Sequence, residues 1–107
     1  MKEKANQNEL VIVILNEGFS EVAMNAARDA GARGGTIMHG RGTGTKEMEK
    51  KYNIHITPQK EIIYIIVKED IKDKVMSAVN AAVGIETNAQ GIVFSIPVDN
   101  VSGLKFE

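Results

Sequence analysis

An α+β fold, with helices gathered on one face of an antiparallel sheet, is predicted by three features of this sequence. Residues 10–15 and 61–67 are almost unbroken runs of Val, Ile and Leu, the composition of strands. Residues 20–31 and 70–84 carry apolar residues at helical spacing, and each segment follows one of those strands. Each helix is in turn followed by a shorter strand-like run, so the order strand, helix, strand occurs twice.

The first strand is Leu10 to Leu15, and Asn16-Glu17-Gly18 turns the chain after it. Ser20 is the expected N-cap of the first helix, with Phe19 before it placed to staple onto Met24 and Glu21 complementing the dipole of the first turn. Val22, Ala23, Ala26, Ala27 and Ala30 form its apolar face, and Gly31 ends it with a left-handed cap. Because that face is mostly alanine, the helix can lie close to a sheet. Gly35 to His39 is the second strand. From Arg41 to Gln59 most of the chain has neither periodicity, and a connection of that length inside a compact domain is usually functional. Within it, residues 46–51 suit a helical turn and residues 52–57 alternate like a strand leg closed by Pro58. The third strand is Glu61 to Val67. Asp70 is the expected cap of a second helix, whose buried stripe is Ile71, Val75, Ala78, Val79, Ala82 and Val83 and whose stop is Gly84. The fourth strand runs from Gly91 to Ile96, Pro97 stops its ladder, and the tail from Val98 to Glu107 is available to add an edge strand.

This order is that of a ferredoxin-like βαββαβ sandwich, a single domain over residues 1–107 with two helices on one face of a four-stranded antiparallel sheet. Such a sheet normally leaves its second face to water and alternates polar with apolar residues. The first and third strands do not alternate. The second face is therefore expected to be buried, and with two helices in the chain the obvious cover is another copy of the protein.

Thirteen Lys plus Arg against fourteen Asp plus Glu give a formal net charge of -1, which argues against a nucleic-acid footprint. With no Trp and five aromatic residues, a base-stacking sheet surface is poorly provided for, so RNA binding is not expected. There is no Cys, which excludes disulfides and thiolate chemistry. No run approaches the ~18 to 20 apolar residues of a membrane span, and the polar start lacks the apolar core of a secretory signal, so a cytoplasmic location without membrane insertion is expected.

Six of the ten glycines, Gly31, Gly34, Gly35, Gly40, Gly42 and Gly44, fall between the end of the first helix and the start of the long connection. Glycine clusters are tolerated where the backbone needs φ > 0 or must approach a ligand closely. With Arg41, Thr43, Thr45 and Lys46 among them, the chemistry is that of a phosphate cradle of N–H donors, hydroxyls and fixed cations. A plain flexible connection remains the alternative at this stage.

The arrangement resembles the PII signal-transduction family over nearly the whole chain. The family pattern of a helix ending in Gly, then Gly-x-Thr, then Arg/Lys-Gly-x-Gly leading into a long mobile T-loop appears here as Gly31, Gly34-Gly35-Thr36 and Arg41-Gly42-Thr43-Gly44. The loop resumes at Pro58 and Lys60, and after the second helix the family's nucleotide loop corresponds to Thr87 through Phe94, of which Gly91 and Phe94 keep the pattern. The resemblance implies a homotrimer with inward-facing sheets and ATP, ADP or AMP bound as effector between subunits. It also implies T-loops that dock onto a transporter or metabolic enzyme. By that likeness Thr36 bonds the adenine, Gly42 and Gly44 present N–H groups, Lys60 reaches the phosphates, and Thr87, Gly91 and Lys105 belong to the nucleotide site. Arg41 joins this set on charge alone. Lys46, Lys50, Lys51 and Tyr52 are the loop residues placed to meet a partner.

The departures bear on the ligand. The family's Arg-Gln after the loop glycines is Thr45-Lys46 here, and that Gln is the one that helps hold magnesium and 2-oxoglutarate. Where the family has a basic residue after the last glycine this chain has Ile92, and the family's two C-terminal arginines fall on Gly103 and Lys105. Each lost charge-assisted bond removes roughly 1.5 to 3 kcal/mol. Weak ATP binding, or preference for fewer phosphates, is therefore expected. No uridylylation pattern surrounds Tyr52.

Other constellations are weaker. His39 and His55 lack the spacing of a metal pair, and no metal site is expected. Residues 46–51 also read as a plain solvated run, and Asp70 with Asp73 as helix-start residues. No nucleophile has a base beside it, so the chain is not expected to be an enzyme. The competing functional reading is an oligomeric adaptor, or a sensor of another metabolite, on the same fold.

Overall fold

The structure is a computed structural model, described here for residues 7–44, 46–53 and 58–104. In chain order the elements are β1 (Asn8–Asn16), α1 (Ser20–Asp29), β2 (Thr36–Arg41), α2 (Lys46–Tyr52), β3 (Gln59–Lys68), α3 (Glu69–Val83) and β4 (Ile92–Val98). The strands form one antiparallel sheet in the order β2-β3-β1-β4. This is the ferredoxin-like order, with the two longest apolar strands at the centre and the two shorter ones at the edges.

Strand alternation divides the sheet into two faces. Val11, Val13 and Leu15 of β1 and Ile63, Ile65 and Val67 of β3 are buried beneath Ala23, Met24 and Ala27 of α1 and Val75, Val79 and Val83 of α3. The opposite face is apolar too, and it stands open on the chain. Ile92, Phe94 and Ile96 of β4, Tyr64 of β3 and Met38 of β2 are all exposed there.

Several element boundaries differ from the sequence expectation. Ser20 is the first helical residue of α1, Phe19 takes the N-cap position, and no side-chain cap bond is made. The Ser20 hydroxyl goes to β3 instead: Glu61 Oε1 accepts from Ser20 Oγ and from the Gly18 N–H. Val22, expected on the apolar face, points to solvent. The C-terminus of α1 follows expectation, since Gly31 has φ +117 and the N–H groups of Gly31 and Ala32 return to Arg28 O and Ala27 O, the double bond of a Schellman motif. Asp70 does not cap α3; β3 runs straight into that helix through Lys68, and the Glu69 N–H donates to Gln7 O at 2.9 Å. Gly84 ends α3 with φ -67 rather than a left-handed turn. Its lack of a side chain matters because a Cβ there would sit 2.4 Å from Asn80 O.

Pro97 lies within β4, opposite Glu9, where an edge strand tolerates its missing N–H. The described residues after Val98 add no strand. Arg41 and Gln59 belong to β2 and β3, so the long connection is 42–58, and the expected helical turn is α2. Tyr52 ends that helix rather than opening a strand leg, whose remaining positions 54–57 lie outside the described residues.

Candidate functional site

The end of the sheet where β1 finishes, β3 begins and β2 leaves gathers most of the predicted site. Gly40 pairs with Lys60, and Lys60 pairs with Asn16 across β3. Beyond them the Gly42 N–H donates to Pro58 O at 2.6 Å, closing the base of the long connection. A Cβ at Gly42 would meet Lys60 Cε at 2.7 Å, so the glycine allows the lysine stem to lie across the loop base.

Lys60 Nζ donates to Asn16 Oδ1 at 2.7 Å, while Asn16 Nδ2 donates to Asn88 O at 3.0 Å and its N–H to Ala89 O at 2.9 Å. Asn16 is only 7% exposed, and these bonds leave no polar atom of its side chain idle. One buried amide thus joins the lysine at the base of one loop to the backbone of the other. Composition gave no hint of this residue; the only signal in the sequence was a polar side chain ending an apolar strand.

The second loop is held by its own bonds. Thr87 Oγ1 donates to Gly84 O at 2.8 Å and accepts from the Ala89 N–H, and the Gly91 N–H donates to Val83 O at 2.7 Å. A Cβ at Gly91 would lie 2.3 Å from Val83 O, so the glycine is required by close approach to α3. The N–H groups of Gly42 and Gly91 and the hydroxyl of Thr87 are thus bonded inside the chain.

Other predicted residues are dispersed. Thr36 opens β2 opposite Tyr64, four residues along β3 from Lys60, a separation of roughly 13 Å at 3.3 Å per residue. It shares the open face with Lys60. Arg41 pairs with Gln59, one position on, and alternation sends it to the other face, so Arg41 and Lys60 do not converge. Thr43, Gly44, Lys50, Lys51 and Tyr52 line the connection with mostly exposed positions, and Lys51 Nζ lies 5.5 Å from the Tyr52 ring centroid. The side chain of Lys46, and all of Thr45, His55 and Lys105, lie outside the described residues. The open face exposes two aromatic rings, Tyr64 and Phe94, among Ile12, Ile62, Ile92 and Ile96, an aliphatic rather than basic surround.

Sequence and structure comparisons agree on the kinship of this arrangement. The profile of the family described as Nitrogen regulatory protein P-II matches residues 8–107, and the chain belongs to that family. Its fold is similar to that of Arabidopsis thaliana PII bound to citrate, with TM-score 0.68 and 20% identity, covering 94% of this chain and 82% of that one. It is likewise similar to a PII-like signaling protein from Thermus thermophilus, with TM-score 0.64 and 18% identity over 85% of each chain. No curated protein matches the sequence. Among the described residues no helix is long and apolar enough to cross a membrane.

Proposed function

We propose that this chain is a PII-type regulator which binds an adenine nucleotide, ATP, ADP or AMP, and controls a partner enzyme or transporter through the 42–58 connection. The observation that carries the reading is the Lys60–Asn16–Asn88 chain of hydrogen bonds. It gives the two loops that the family resemblance assigns to nucleotide one shared buried joint. A phosphate that draws Lys60 Nζ away from Asn16 perturbs both loops together, which is the kind of local charge event that switches a segment. The open apolar sheet face supports an oligomer, and the family resemblance makes it a homotrimer with nucleotide sites at the clefts between copies.

A second reading has its own support. Among the described residues, the N–H groups of Gly42 and Gly91 are bonded within the chain and are not open phosphate donors. An adaptor, or a sensor of a different small metabolite, fits that arrangement. Calorimetric titration with ATP, ADP and AMP, with and without magnesium, separates the two, run beside light scattering for mass. Micromolar binding to a trimer supports the nucleotide regulator, and loss of that binding in Lys60→Ala locates it. A folded oligomer that gives no heat with all three nucleotides supports the second reading.

A further inference from the structure

Three potential metal ligands from three different segments meet on the helix side of the sheet, on the face opposite Lys60. They are Glu17 in the turn after β1, His39 on β2 and Glu61 on β3, and their ligand atoms all lie within 4.8 Å of one another. His39 and Glu61 are cross-strand partners in the β2–β3 ladder, with His39 Nδ1 4.0 Å from Glu61 Oε2. Glu17 is brought to them by its backbone, whose N–H donates to Gln59 O at 3.2 Å. Two of the ligands therefore stand on paired strands and the third on a turn bonded to one of them, which is what keeps ligands in place before an ion arrives.

Glu61 is held at one oxygen and offered at the other. Oε1 takes the Ser20 hydroxyl and the Gly18 N–H, and Oε2 faces His39. Its side chain is 12% exposed while that of His39 is 69% exposed, so the group has a fixed inner ligand and an open outer side through which an ion can enter. We propose that Glu17, His39 and Glu61 bind a divalent first-row transition cation of the zinc class, with water completing the shell. One imidazole nitrogen beside two carboxylates suits zinc, nickel or copper, whereas magnesium and calcium take oxygen ligands. Bonds of about 2.0 to 2.2 Å place tetrahedral ligand atoms roughly 3.4 Å apart, which an exposed imidazole and an exposed Glu17 reach by small rotations. Once bound, the ion ties the β1–α1 turn to β2 three residues before Gly42.

The test is titration of the full chain with zinc chloride at neutral pH, paired with the visible spectrum of the cobalt(II) form. One ion per chain is expected in the wild type. Glu17→Gln and His39→Asn should each weaken it by more than about 10-fold and remove the cobalt band, while His55→Asn leaves both unchanged. Glu61→Gln is avoided because Glu61 also holds the start of α1. Absence of wild-type binding overturns the assignment, as does binding that survives both substitutions or one lost with His55→Asn.

Discussion

Asn16 shows how much one buried side chain can organise. It ends β1, accepts from Lys60 and donates to the carbonyl of Asn88, so three segments depend on one amide. Asn16→Ala removes two long-range side-chain hydrogen bonds, one of them to a charged lysine, and should cost about 1 to 3 kcal/mol, read as a lower urea midpoint. In the regulator reading it should also weaken nucleotide binding, because Lys60 loses its anchor. Gly91 and Gly34 make a contrasting pair. A methyl at Gly91 drives into Val83 O at 2.3 Å, whereas nothing lies within 4 Å of one at Gly34. Gly91→Ala should therefore destabilise by at least about 1 to 3 kcal/mol, and Gly34→Ala should be neutral or stabilising by up to about 1 kcal/mol. Both glycines stood out in the sequence. Their difference did not, because it depends on how closely α3 approaches the chain before β4.

At the scale of elements, the start of α1 is the informative case. A Ser before an apolar-periodic stretch reads as an N-cap, yet here Ser20 is the first helical residue, and its hydroxyl donates, with the Gly18 N–H before the helix, to Glu61 on another strand. The local rule placed the cap one residue late and gave Ser20 the wrong partner. Ser20→Ala should accordingly cost about 1.5 to 3 kcal/mol, the range for a hydrogen bond to a charged group, rather than the smaller loss of an ordinary cap, measurable by thermal or urea unfolding. The same logic explains α3, whose first N–H is satisfied by Gln7, leaving Asp70 without a capping task. Where the stop signal is purely local, as with Gly31 at φ +117, sequence and structure coincide. Long-range satisfaction of helix ends has no signature along the chain, since nothing in the spacing of Ser20 and Glu61 says that they will meet.

The whole molecule presents one apolar face too many for a single copy. Ile92, Phe94 and Ile96 stand exposed on β4, with Tyr64 and Met38 across the sheet. A contiguous surface of this kind in water marks an interface. Light scattering should find an oligomer, and placing Asp at both Phe94 and Ile96 should lower the mass to that of one chain while circular dichroism keeps its native form. If mass is unchanged by that double substitution, the face is covered by something other than a further copy. The two-sided apolar character of β1 and β3 is plain in the sequence, so the need for a cover is legible there.

What the sequence determined by itself was the order of elements, the ferredoxin-like sheet and the excess apolar face. These follow from periodicity and composition, which act over a few residues and survive any detail of packing. What only the tertiary structure decided was which polar groups find one another across the fold. Lys60 meets Asn16 over 44 positions of chain, and Asn16 meets Asn88 over 72. Arg41 parts from Lys60 because adjacent register positions face opposite ways. Glu17, His39 and Glu61 converge because β2 and β3 pair in one register and the turn after β1 is bonded to Gln59. Such meetings are set by strand register and loop closure, and a register displaced by one residue would undo each of them while leaving the sequence pattern the same.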